Sequence, residues 1–190
     1  MKELWVEKYR PSSVKDYVFR DDKQKKQVSS WVESGAIPHL LFSGSAGTGK
    51  TTLARVLLNE LDVDGGDVMF INASSENNVD TMRTKINGFA SSLPFSGEFK
   101  YVLLDEADYL SQNAQAILRN MMETYSTTCR FILTCNYPNK VIPAIHSRCQ
   151  GYHIEKLDTN EFTARVAEIL ISENIKPDIE VLDIYVRSTY

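Results

Sequence analysis

Between residues 44 and 51 the chain reads Gly44-Ser45-Ala46-Gly47-Thr48-Gly49-Lys50-Thr51, a complete match to G-x-x-x-x-G-K-[ST]. Each residue type in that string has a task. Glycines let the backbone curl so that successive N–H groups point inward at phosphate oxygens. Lys50 supplies a cation for the β and γ phosphates, and the Thr51 hydroxyl a ligand for Mg²⁺. A helix starting at Lys50 and Thr51-Thr52 directs the positive end of its dipole to the same place. A chance glycine-rich turn would match on the order of once in a hundred chains of this length. The match implies ATP or ADP as ligand, with Mg²⁺.

A second cluster follows about 55 residues later. The stretch Lys100-Tyr101-Val102-Leu103-Leu104 leads into Asp105-Glu106-Ala107-Asp108. Two carboxylates at the end of a buried strand need a reason, which weakens their reading as a solvated turn. Asp105 suits Mg²⁺ through water, and Glu106 suits polarising an attacking water. The letters Asp-Glu-Ala-Asp also mark a large class of RNA helicases. Such helicases need a second nucleotide-binding-type domain, for which 190 residues leave no room, and their Ser-Ala-Thr and His-Arg-x-Gly-Arg clusters are missing.

The elements that must position these groups are read from periodicity. Apolar runs at 39–43, 68–72, 101–104, 130–134 and 152–154 are strand candidates. Between them lie helical patterns at 50–61, at 79–93 (Val79, Met82, Ile86, Phe89, Leu93 on one face) and at 112–125. Continuous apolar strands alternating with amphipathic helices predict an α/β fold with a parallel five-stranded sheet flanked by helices. A helix over 22–33 precedes the sheet. Asp158 with Glu161 predicts a capping box that opens a helix to about Ser172, and Asp178 caps another. The expected division is an α/β nucleotide-binding domain over 1–157 and part of a helical lid over 158–190.

Composition sets the outer bounds. The chain is 43% hydrophobic and 24% charged, with a formal net charge of −4, which excludes a generally basic coat for nucleic acid. No apolar run is long enough for a membrane span. Cys129, Cys135 and Cys149 form no CxxC pair, so free thiols in a reducing compartment are expected. A cytoplasmic setting follows from these two readings.

Two further strings complete the set: Leu133-Thr134-Cys135-Asn136 at the end of the next strand, and Ser147-Arg148-Cys149 twelve residues on. With Trp5-Val6-Glu7-Lys8-Tyr9-Arg10-Pro11 and the helix Gln115–Glu123, they resemble the AAA+ clamp loaders. These are the replication factor C small subunits and, more closely, the ATPase subunit of the T-even-like bacteriophage sliding-clamp loader. The resemblance covers residues 4 to 190. It implies an ATP hydrolase that opens a sliding clamp and loads it onto primer–template DNA within a heteropentamer, in a host-cell cytoplasm if phage-encoded. A helicase loader on the same core, or an ATP-binding scaffold subunit with little hydrolysis, is the alternative.

The resemblance also assigns roles. Val6, Glu7, Lys8, Tyr9 and Val18 would surround adenine, although the residues alone read as an extended turn with an aromatic anchor. Asn136 would be a sensor of the γ-phosphate, where an Asn satisfying loop backbone is the plainer account. Arg148 would be an arginine finger reaching a neighbouring subunit's ATP; by spacing alone, a surface Arg serves equally well. Gln115 would couple the acidic motif to DNA contacts, an exposed helical Gln being simpler. Arg83 and Lys85 are candidates for a DNA backbone, or merely a solvated helix face. The phosphate loop departs from the family's usual Gly-Pro-Pro start. The family's second sensor arginine and helical collar would lie beyond Tyr190, so slow turnover is expected of this span alone.

Overall fold

The computed structural model describes residues 4–75, 79–157 and 159–189. Five strands, β1 (Leu40–Ser43), β2 (Val68–Asn72), β3 (Lys100–Asp105), β4 (Cys129–Cys135) and β5 (Gln150–His153), form one sheet in the order β2-β3-β4-β1-β5. All neighbours pair in parallel. Eight helices surround and follow it among the described residues: α1 (Trp5–Lys8), α2 (Asp22–Glu33), α3 (Lys50–Glu60), α4 (Val79–Ala90), α5 (Gln112–Thr124), α6 (Pro143–His146), α7 (Thr159–Ser172) and α8 (Ile179–Thr189).

Strand periodicity divides the core in two. Along β3, Val102 and Leu104 enter the apolar layer under α4 and α5, with Ile86, Leu118 and Met122. Tyr101 and Leu103 enter the opposite layer under α2 and α3, with Trp31, Leu53 and Leu57. Because both faces are covered, the inner strands read as unbroken apolar runs instead of alternating. Residues of β4 alternate likewise, Phe131 and Leu133 on one side and Ile132 on the other.

The helix boundaries follow local chemistry. The Asp21 side chain accepts from the amide of Gln24 and starts α2, and Ser111 does the same for Ala114 at α5. Asp178 accepts from the amides of Glu180 and Val181 ahead of α8. The capping role expected of Asp158 lies outside the described residues. One expected boundary moves. α4 stops at Ala90, so Leu93 is not on its apolar face but 81% exposed. Pro94 disfavours helical backbone at the residue before it, and the buried Asp67 carboxylate captures the next amides, Phe95 at 2.8 Å and Ser96 at 2.9 Å.

At the amino-terminal end of the sheet, His39 Nδ1 accepts from the Phe131 amide at 3.1 Å. Burial, helped by the nearby Arg130 guanidinium, pushes the His39 pKa down to about 4. The three cysteines are free, and burial raises Cys129 and Cys149 to about 12 and Cys135 to about 11. No helix among the described residues is long and apolar enough to cross a membrane. α7 and α8 follow β5 and pack on one another, burying Leu182 and Val186.

Candidate nucleotide site

The carboxyl ends of β1, β3 and β4 open on a common crevice, as parallel sheets dictate. The first loop is shaped by its glycines. Gly44 has φ +153°, and a Cβ there would meet the Ile154 carbonyl oxygen at 2.0 Å. Gly49, at φ +87°, forms the entry to α3 and lies against the Tyr17 ring, whose hydroxyl would be 3.1 Å from an added Cβ. Lys50 is 7% exposed, and its Nζ donates to the carbonyls of Ser45 at 2.7 Å and Gly44 at 3.0 Å. Burial lowers its pKa, while Cys135, Asp105, Asp108 and Glu106 act in the opposite sense.

Asp105 is the hub of the crevice. Its Oδ1 accepts from the Thr51 and Thr134 hydroxyls, both at 2.6 Å. Thr134 follows directly from the register that pairs Leu104 with Leu133. Its hydroxyl oxygen also accepts from the Glu106 amide at 3.0 Å, which holds Glu106 in left-handed backbone, φ +57°. A residue other than glycine is uncommon there and is kept by its surroundings. The last letter of the acidic string also has work: buried Asp108 accepts from the amides of Asn136 at 3.3 Å and Tyr137 at 3.2 Å. It thereby fixes the loop that presents Asn136.

Two chambers result. One, of about 320 Å³, brings together Gly47, Gly49, Lys50, Thr51, Thr52, Asp105, Glu106 and Asn136, with Thr134 and Arg10 added. The second, of about 200 Å³, is lined by Tyr9, Pro11, Tyr17, Val18, Ile154, Leu157, Arg165 and Ile169, and it shares Gly47, Gly49 and Thr52 with the first while adding Thr48. A polar chamber joined to one walled by aromatic and aliphatic groups suits a phosphorylated ligand with a flat apolar end.

Other residues singled out in the sequence lie elsewhere. Val6 is 71% exposed, Glu7 pairs with Arg10, and the Lys8 ammonium sits 2.6 Å from Glu173 Oε1; none lines either chamber. The physical reason is that residues 5–8 form a helical turn instead of an extended wrap. Tyr9 keeps one edge on the second chamber while its hydroxyl lies 2.6 Å from Glu173 Oε1 and 2.8 Å from Ser172 Oγ. Arg148 is outside the crevice, its Nε donating to Glu123 Oε1 at 2.9 Å and its Nη1 to the Ala144 carbonyl at 2.7 Å. Gln115 is buried, not exposed. Its amide nitrogen donates to the carbonyls of Leu110 and Lys140, both at 3.0 Å, and its oxygen accepts from the Ile142 amide at 2.8 Å. Arg83 and Lys85 are exposed on α4, Arg83 beside Asn120 and Tyr125 of the α5 end. Sequence reasoning missed Arg10, Thr134, Asp108 and the α7 residues Arg165 and Ile169. For Thr134 the signal was present, a hydroxyl one strand over from Asp105; for α7 there was none.

A family model described as "ATPase family associated with various cellular activities (AAA)" matches residues 40–155. The chain belongs to this AAA family. This AAA chain is 44% identical over 183 residues to the replication factor C small subunit of Methanoregula boonei, covering 95% of itself and 56% of that relative. It is 43% identical to the replication factor C small subunit of Methanoculleus marisnigri, covering 97% and 59%. The chain thus spans a little over half the length of the curated relatives it matches. Among solved structures, the AAA fold here superposes on the Thermotoga maritima RuvB Holliday junction branch migration motor with a TM-score of 0.76 at 15% identity. That match covers 94% of this chain and 59% of the other. The resemblance to replication factor C small subunits read from the motifs and the AAA fold agree with these findings.

Proposed function

We propose that the chain is the ATPase portion of a sliding-clamp loader subunit, with residues 1–157 as the nucleotide-binding domain and the helices after them as the start of a lid. The convergence of Lys50, Thr51, Asp105, Glu106 and Asn136 on one chamber carries the reading. The resemblance to clamp loaders, supported by relatives named replication factor C small subunit, makes the clamp, the primer–template DNA and neighbouring subunits the proposed partners. The cytoplasm, or a phage host's cytoplasm, is the proposed setting.

In this reading the amides at the start of α3 and the Lys50 ammonium receive the phosphates, and the second chamber receives the base beside Tyr9 and Val18. Thr51 and Asp105 fit a hard cation, because hydroxyl and carboxylate oxygens already meet at 2.6 Å. Among the described residues no cluster of three or more His, Cys, Asp or Glu could hold a metal alone, so phosphate and water would complete the shell. Mg²⁺, when bound, would neutralise charge on the phosphates. Glu106 orients and deprotonates the attacking water, Asn136 donates its amide to the γ-phosphate or that water, and Arg148 serves a neighbour's site. Its position outside its own crevice supports action in trans. The test is phosphate release by the full-length protein, with and without clamp and primed DNA. Stimulation that disappears in Glu106→Gln is expected; turnover indifferent to both clamp and DNA would leave an AAA ATPase that is no clamp loader.

A further inference from the structure

Arg10 stands in the phosphate chamber without a role in the reading above. It lines the chamber that holds Lys50, Thr51 and Asp105 and does not line the base chamber. The charge balance there is poor for a polyphosphate. Asp105 and Glu106 share the ligand's sign, and Lys50, already turned toward loop carbonyls, is the other cation among the lining residues. A second cation is what this chamber needs, and Arg10 is in place to be it.

Its guanidinium is occupied by Glu7. Nη2 donates to Oε1 at 2.7 Å and Nε to Oε2 at 3.1 Å. This two-point grip on a carboxylate is the same fork with which arginine takes two phosphate oxygens, so either anion satisfies it. The pair is open to water, with side chains 35% and 55% exposed, and exposed pairs of this kind bind weakly. Exchange is therefore cheap. Arg55 lines the same outer groove as Glu7 and Arg10, and its charge already acts on the Glu7 carboxylate. When Arg10 leaves, Glu7 keeps a cation nearby.

We propose that Arg10 is a phosphate-binding residue of this cleft, held by Glu7 until a nucleoside polyphosphate displaces that carboxylate. The proposal rests on the nucleotide-binding reading of the same cleft. In the competing account, Arg10 and Glu7 only staple the first helical turn.

Calorimetric titration of the chain with Mg·ATP and with AMP separates the two. Arg10→Gln should weaken ATP roughly 10-fold, as expected for losing a charge-assisted fork, and change AMP little. Glu7→Gln should tighten ATP by roughly 2- to 5-fold, the worth of an exposed pair, and should do nothing in the Arg10→Gln background. Unchanged ATP affinity in Arg10→Gln overturns the proposal. Equal weakening of ATP and AMP also overturns it, because that is the signature of a damaged N-terminal turn. So does a Glu7→Gln effect that persists without Arg10. Lys50→Ala marks the boundary with the wider reading. If wild type binds ATP and Lys50→Ala does not, an Arg10→Gln variant that binds normally sinks this inference alone. If wild type does not bind ATP, both fall.

Discussion

The two chambers of the cleft are built in different ways. The phosphate chamber is made almost wholly by the sheet itself: strand ends, the loop after β1, and side chains that bond one another across adjacent strands, with Asp105 Oδ1 taking two hydroxyls. The base chamber joins segments more than 150 residues apart. Tyr9 comes from the N-terminal segment and Arg165 and Ile169 from α7, held together by the partly exposed contacts of Lys8 and Tyr9 with Glu173. Buried, mutually satisfied polar groups resist rearrangement, whereas exposed pairs contribute little. In the proposed reading, chemistry falls on the half tied by bonds across the sheet and recognition of the base on the half tied by more exposed contacts.

Breaking the half tied across the sheet should give the largest effects. In the full-length protein, Glu106→Gln keeps the shape but removes the base, so turnover should fall roughly 10²- to 10⁴-fold while ATP still binds. Single-turnover phosphate release with parallel calorimetry checks both. Lys50→Ala removes a buried cation facing two phosphates and should weaken ATP by roughly 100-fold, on the scale of charge-assisted bonds worth ~1.5–3 kcal/mol.

The half tied by exposed contacts should respond far less. Glu173→Gln and Tyr9→Phe remove polar ties without emptying the chamber, so each should cost under ~1 kcal/mol in stability and weaken adenine nucleotides no more than roughly 5-fold. Measured losses as large as that of Lys50→Ala would erase the contrast between the halves.

Acid offers a probe that reaches the body at the end away from the cleft. His39 stays neutral in the folded chain down to about pH 4, while an unfolded chain takes up its proton near pH ~6.5. Its stabilising contribution is complete above that higher value and is lost as pH falls toward about 4, a change of up to ~3 kcal/mol. Urea melts at neutral and at mildly acid pH should show the drop, and His39→Gln should flatten it.

How much of this was legible in the sequence follows the same division. Lys50, Thr51, Asp105 and Glu106 sit in short strings whose geometry is set within one strand and one turn, and they meet as those strings imply. Asn136 joins them because strand ends align in a parallel sheet. Rotation matters where neighbourhood along the chain alone does not decide: one turn of helix places Val6, Glu7 and Lys8 outside the lining of the chamber that Tyr9 reaches. Gln115 looked like surface because its helix is amphipathic, yet the loop after β4 folds over it and takes one of its amide N–H donors and its carbonyl oxygen. Nothing near Arg165 or Ile169 in the sequence announces a partner at Tyr9. Only the fold closes that distance.

The tie between Tyr9 and Glu173 also has a consequence for how the molecule comes into being. Synthesis from the amino end releases residues 4–11 ahead of the sheet, but their partners at Ser172 and Glu173 emerge only after all five strands have been synthesised. A contact cannot form before both of its partners have been synthesised. The sheet and its phosphate loop can assemble while the opening segment still dangles, and that segment seats when the end of α7 arrives. The wall lined by Tyr9, Arg165 and Ile169 is therefore the last part of the cleft to be completed, by the meeting of an earlier-made and a later-made stretch of the polypeptide.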